Sequence, residues 1–217
     1  MTREKWIEYL KDFVLAILAG VCISIGAVAF LSCKNNVVGA IFFSVGLFTI
    51  LTFGFNLFTG KVCYIFNNKP SYLIKVAIIF LGNFVGTNLS ALLLNFTRLS
   101  SLRERCSVIV QTKLGDDLWS LFILAIFCNI LIYIAVEGFK SKNILTQYLS
   151  LFFGVSVFVI CGFEHSIADM FYFAFARSYT GRTFLILIIV SLGNIVGGTL
   201  IELIKKLFKE NKQDENK

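Results

Sequence analysis

Charge is scarce in this sequence. Only 15% of its 217 residues are Asp, Glu, Lys or Arg, against 57% hydrophobic, and the mean hydropathy is +0.81. A water-soluble domain carries about 25% charged residues, so an ordinary soluble domain is excluded. Histidine occurs once, at His165, and proline once, at Pro70. The six cysteines (Cys22, Cys33, Cys63, Cys106, Cys128, Cys161) form no CxxC pair and no Cys/His cluster. Zinc and haem sites need such clusters, so no metal or cofactor is expected and the cysteines are read as small apolar fillers. Cys33 and Cys106 fall on one predicted side, which leaves a single disulfide to consider. A membrane-embedded enzyme would need a nucleophile with its base, or a metal cluster, and neither pattern is present. No soluble stretch is long enough for a second domain that would carry a signal or a scaffold.

What the chain has instead is long apolar runs. Runs with little or no charge cover residues 13–33, 35–60, 76–97, 118–136, 143–163 and 183–201. Each is long enough for a transmembrane helix of about 20 residues. The first run is full length and follows a mixed-charge head (Arg3, Glu4, Lys5, Glu8, Lys11, Asp12), so it reads as a retained span and not a cleaved signal. Lys34, Arg98, Arg103, Arg105, Lys113, Arg177 and Arg182 fall on one side of the six runs, and the other thirteen Lys and Arg residues on the opposite side. The richer side is expected in the cytoplasm, with both termini. The net charge of +7 is thereby a topology signal, and no nucleic-acid partner is expected. The Lys-rich tail from Lys205 is suited to anionic lipid.

Two runs are interrupted. Gly162-Phe163-Glu164-His165-Ser166 puts a carboxylate and the only histidine at membrane depth, and Gly54-Phe55-Asn56 lies 108 positions upstream in a matching run. Ionisable groups at that depth are expensive unless they face a cavity or a partner, so they mark a pathway. Matched interruptions in two halves point to a transport site. Residues 35–68 and 143–176 each span 34 positions, about 51 Å as a straight helix at 1.5 Å per residue against a core of about 30 Å. They must tilt, kink or unwind. Unwinding is cheapest at Gly54 and Gly162. Ser166-x-x-Asp169 matches a capping box opening a second half-helix, and Thr59 matches an N-cap in the first.

A second duplication supports the first. Leu81-Gly82-Asn83-Phe84-Val85-Gly86 and Leu192-Gly193-Asn194-Ile195-Val196-Gly197 lie 111 positions apart, in the third and sixth runs. The expected architecture is an all-α membrane protein of six transmembrane helices, an inverted 3+3 repeat with broken second and fifth helices. The first repeat covers about residues 13–97 and the second about residues 117–208, in one domain.

The sequence resembles the formate/nitrite transporter family. The residues that carry this are Phe163-Glu164-His165-Ser166-Ile167-Ala168-Asp169-Met170-Phe171, Asn56-Leu57-Phe58-Thr59-Gly60-Lys61, Gln111-Thr112-Lys113, Cys128-Asn129 and Gly193-Asn194-Ile195-Val196-Gly197-Gly198. The resemblance implies an aquaporin-like fold, a homopentamer with one pore per protomer, and passage of formate, nitrite, hydrosulfide and similar anions. It implies that His165 is the central pore histidine, Thr59 the threonine facing it, and Lys113, Asn129 and Asn194 the lysine and asparagines near the pore. By the same match Phe43 and Leu47 form an inner constriction, and Leu57, Phe58, Ile132 and Phe158 an outer one. Glu164 is expected to bond backbone groups of the unwound segment or to polarise the site, with a direct proton relay as the alternative, and Lys113 to attract anions at the outer mouth. A buried histidine that only holds the fold is the plainer alternative for His165. Neutral-solute channels with paired Asn-Pro-Ala breaks are disfavoured, because Pro70 is far from either break. Lys61 favours hydrosulfide as the alternative substrate.

Overall fold

The computed structural model describes residues 3–214, with side chains to residue 208, and every regular element among them is helical. The chain runs α1 (Arg3–Ser32), α2 (Asn36–Phe53), a short α3 (Phe58–Lys61) continued by a 3₁₀ turn, α4 (Tyr72–Asn95), α5 (Arg103–Gly115), α6 (Leu118–Gly138), α7 (Ile144–Ile160), α8 (Ser166–Phe175) and α9 (Gly181–Asp214). Five of these, α1, α2, α4, α6 and α9, are long and apolar enough to cross a membrane, while α7 falls just short at 17 residues. The charged head does not precede the first helix as a separate segment. It is the first three turns of α1, which is 30 residues long. The lysine tail from Lys205 is helical through residue 214, and Lys217 lies outside the described residues.

The capping residues recur with the breaks. Asn35 accepts from the backbone N–H groups of Val37 and Val38 at the start of α2, and Asn143, 108 positions later, accepts from Thr146 at the start of α7. Both satisfy donors that the first helical turn leaves free. Gly54 (φ 70) and Gly162 (φ 66) then leave the helix in the left-handed region, which a side chain at Cβ would resist. Helix restarts only at Phe58 and Ser166.

Helix packing is also paired. α1 packs on α2 and α4, α6 packs on α7 and α9, and α2 meets α7. The duplicated glycines explain the closest contacts. A Cβ on Gly82 would meet Ala16 and Phe13 of α1, and one on Gly193 would meet Phe122 and Ala125 of α6. Gly86 and Gly197 approach the backbones of Ile17 and Ile126 in the same way. Small residues let helices in lipid come this close.

All six cysteines are free thiols. The Cys33–Cys106 pairing considered from the sequence is therefore not made. Cys106 is buried instead, and its thiol donates to the Tyr172 carbonyl at 3.4 Å.

Candidate functional site

The two breaks meet at one contact. Thr59 Oγ1 lies 3.0 Å from His165 Nε2, and both side chains are buried. The other ring nitrogen, Nδ1, accepts the backbone N–H of Ala168 at 3.2 Å, which makes His165 the N-cap of α8. An amide N–H can only donate, so Nδ1 carries no proton in this arrangement. The ring is neutral, its proton is on Nε2, and it donates to Thr59. The threonine hydroxyl is left with its own hydrogen to offer. Phe158 stacks on the imidazole at 5.5 Å between centroids, and Phe43 meets Phe158 edge-on at 5.8 Å.

His165 in the capping role corrects two readings of the sequence. Ser166 is the first residue inside α8 rather than its cap, and its hydroxyl has no partner. Asp169 closes no capping box, since its side chain turns to Lys113. Likewise Leu57, not Thr59, precedes α3, and Thr59 is inside that helix. The capping-box pattern misleads because the unwound strand delivers an imidazole nitrogen to the same free N–H groups.

Two asparagines fasten the breaks. Asn194 donates to the carbonyls of Ala125 and Glu164, both at 2.9 Å, and accepts the N–H of Ser166 at 3.0 Å. Asn83 donates to the carbonyls of Ala16 (2.7 Å) and Asn56 (2.9 Å), and accepts the N–H of Phe58 at 2.8 Å. Each satisfies one carbonyl and one N–H that unwinding exposes. Asn83 was not singled out from the sequence, though its place in the repeated hexapeptide was signal enough. Asn129 donates to the carbonyls of Thr59 (3.0 Å) and Asn194 (2.7 Å), tying the Thr59 helix to α9.

Lys113 is not a free cation at a mouth. Its ammonium lies 2.5 Å from Glu164 Oε2 and 2.9 Å from Asp169 Oδ1, and the three residues are 8%, 4% and 1% exposed. Two carboxylates offset its charge, so attraction of anions by this lysine alone is reduced. The Glu164 side chain takes this lysine and not the backbone of the break, whose bonds go to Asn194. Asp169 belongs with the site although the sequence offered it only as a cap. The first break has an ionic anchor of its own: Asn56 donates to Asp12 Oδ1 at 2.9 Å, and Asp12 pairs with Lys75 at 2.9 Å.

Two cavities flank the histidine–threonine pair. One, of about 150 Å³, is lined by Phe43, Phe158, His165, Lys113 and Asp169 among others. The other, of about 210 Å³, is lined by Leu47, Leu57, Gly60, Lys61, Tyr64 and Lys140 among others. The constriction residues therefore group differently from the expectation. Phe43 sits with Phe158, and Leu47 with Leu57. Phe43 and Leu47 are one turn apart on α2, so they occupy different depths along the helix, about 6 Å apart at 1.5 Å per residue. Phe58 turns away and packs edge-on against Phe80 at 4.9 Å, and Ile132 is buried in the core without lining either cavity. Among the described residues no group of three His, Cys, Asp or Glu side chains is placed to hold a metal.

Apolar helices around paired breaks, with an uncharged histidine–threonine contact between two cavities, define a multi-pass membrane channel fold. The sequence profile of the formate/nitrite transporter family matches residues 3–205, and the chain belongs to that family. It is 29% identical over 184 residues to the formate channel FocA of Escherichia coli K12, covering 75% of this chain and 65% of FocA. It is 27% identical over 185 residues to the formate channel BtFdhC of Bacillus thuringiensis, covering 75% of this chain and 69% of that one. Among solved structures, a pentameric formate channel with formate bound superposes with a TM-score of 0.79 at 24% identity, over 96% of this chain and 99% of that chain. An ion channel of the same family superposes with a TM-score of 0.80 at 22% identity, over 92% and 90%.

Proposed function

We propose that this chain is a channel for small monovalent anions of weak acids, formate, nitrite or hydrosulfide, and that they pass as neutral acids. In this reading the breaks make six crossings, α7 and α8 together forming the fifth, in an inverted 3+3 repeat. The assembly is a homopentamer in the cytoplasmic membrane with both termini in the cytoplasm. Its relatives are named as channels of formate, and a solved structure of this fold is pentameric.

One observation carries the proposal: the 3.0 Å contact between Thr59 and His165 joins the two breaks, with His165 lining the Phe43–Phe158 cavity and Thr59 next to Gly60 of the Leu47–Leu57 cavity. A bare anion is costly to move between apolar walls, so it must be neutralised there. The neutral Nε2–H ring cannot simply give up its proton, because an imidazolate would remain. A proton from the cavity lined by Phe43, Phe158 and His165 must first reach Nδ1, releasing the Ala168 N–H. The Nε2 proton then goes to Thr59 Oγ1 as the threonine proton goes to the anion. The acid leaves neutral, and the ring is neutral again with its proton on Nδ1. A flip of the ring, or a return proton, restores the starting tautomer. Thr59 thus presents the donor, and His165 supplies the proton behind it.

Uptake of a panel of formate, nitrite, hydrosulfide, chloride and glycerol by proteoliposomes tests the proposal. Flux of the weak acids, rising as the outside is acidified, is expected. Chloride passing as fast as formate would overturn it. Lys61, which lines the Leu47–Leu57 cavity, keeps hydrosulfide as the alternative substrate, which the same panel distinguishes.

A further inference from the structure

One groove of the molecule lies away from the histidine–threonine contact. It has a volume of about 640 Å³ and is lined by Phe84, Val85, Leu89 and Leu92 of α4, with Ala174 of the last turn of α8 and Tyr179 beyond it. Asn88 and Asn95 border it, and Arg177 stands at its edge. From Phe84 to Asn95, the last residue of α4, the groove follows the helix for about 16 Å at 1.5 Å per residue. One leaflet of the hydrocarbon core is about 15 Å thick, half of about 30 Å. The groove is therefore about one leaflet long and mostly apolar, with Asn88 partway along it and Asn95 at the helix end.

Arg177 is the unusual residue. It is the only non-glycine residue at positive φ among the described residues, at 56°. It occupies the position after α8 where the chain closes the helix: Arg177 N–H donates to Ala174 and Ser178 N–H to Phe173. Glycine is the usual occupant there, and a side chain in that conformation is strained. The guanidinium is exposed and appears in no hydrogen bond or ion pair among the described residues. The fold thus carries an arginine at a strained corner without a protein partner for its charge. Asn95, by contrast, is occupied, its carbonyl taken by Arg103.

We infer that this groove holds one acyl chain of an anionic glycerophospholipid, with the lipid phosphate on Arg177. The groove matches the chain in length and the arginine matches the head group in charge. Basic residues beside intramembrane clefts select anionic head groups. An exposed cation without a partner among the described residues, beside a mostly apolar groove, is satisfied by a phosphate, and not by the apolar face of another helix.

The test titrates the purified, assembled protein in detergent with dioleoyl-phosphatidylglycerol or dioleoyl-phosphatidylcholine and counts bound lipids by native mass spectrometry. Wild type should prefer phosphatidylglycerol. Arg177→Gly keeps the backbone conformation and should lose that preference about fivefold, the scale of one cation's attraction near an anionic surface. Arg177→Lys should keep most of it, and Leu89→Trp, which fills the groove, should lower binding of both lipids. An unchanged preference in Arg177→Gly, or none in wild type, would overturn the inference. So would efficient cross-linking of Leu89→Cys to a neighbouring copy, which would show the groove covered by protein.

Discussion

Asn83 and Asn194, 111 positions apart, make the same three hydrogen bonds. Each donates once to the helix it packs on and once to a carbonyl of a break, and each accepts the first N–H after that break. The two residues are equivalent structural fasteners. Neither makes a hydrogen bond to Thr59 or His165 through its side chain.

Replacing either asparagine with alanine should therefore destabilise the fold similarly. Each replacement strands a buried backbone donor and acceptor, at about 1–3 kcal/mol per group. Thermal unfolding of the purified assembly should show comparable downward shifts for Asn83→Ala and Asn194→Ala. A large shift for one and none for the other would break the equivalence.

Lys113 is predicted to be a structural cation first. Lys113→Met leaves Glu164 and Asp169 buried together, and removing one partner of a buried ion pair costs about 3–5 kcal/mol. Poor assembly by size-exclusion chromatography is expected. Adding Glu164→Gln and Asp169→Asn to Lys113→Met should restore it. If Lys113→Met assembles normally and only the apparent affinity for anions falls, the lysine acts as an anion attractor after all.

Much of this was legible in the sequence, for physical reasons. The breaks could be placed because Gly54 and Gly162 are needed where the backbone turns left-handed, and the repeat because close helix contact demands Gly82, Gly86, Gly193 and Gly197. His165 stood out because a single polar side chain in lipid must have a use. What could not be read were the partners chosen in three dimensions. Lys113 meets Asp169 across 56 positions, and no local pattern records that. The cap of α8 went to His165 because an unwound, extended segment, not a helix, leads into it. The constriction pairs regrouped because Phe43 and Leu47, one turn apart on the same helix face, lie at different depths.

The aromatic pair should bar ions. Phe43→Ala with Phe158→Ala removes an edge-on contact 5.8 Å across, beside the histidine. Hydrophobic constrictions hold back water and ions, so the double variant is expected to conduct chloride across planar bilayers where wild type does not. Silent bilayers with a well-assembled variant would place the barrier elsewhere.

Orientation is open to a direct check. On a cysteine-free background, Glu104→Cys, at the start of α5, should react with an impermeant maleimide added outside intact cells. Reaction only after the cytoplasmic side is opened would reverse the topology and the charge argument behind it.

The account stands or falls on the proton that travels with the anion. His165→Asn keeps a donor of similar bulk but cannot cycle a proton. Formate flux and membrane current are to be measured together in proteoliposomes across about pH 5 to 8, where histidine chemistry changes. In wild type, flux should rise as the outside is acidified, with little net charge moved. In the variant, the protein should still assemble, and the pH dependence should vanish, leaving either no flux or an anion current. A well-assembled His165→Asn protein with the wild-type pH profile and no current would contradict the central role of His165.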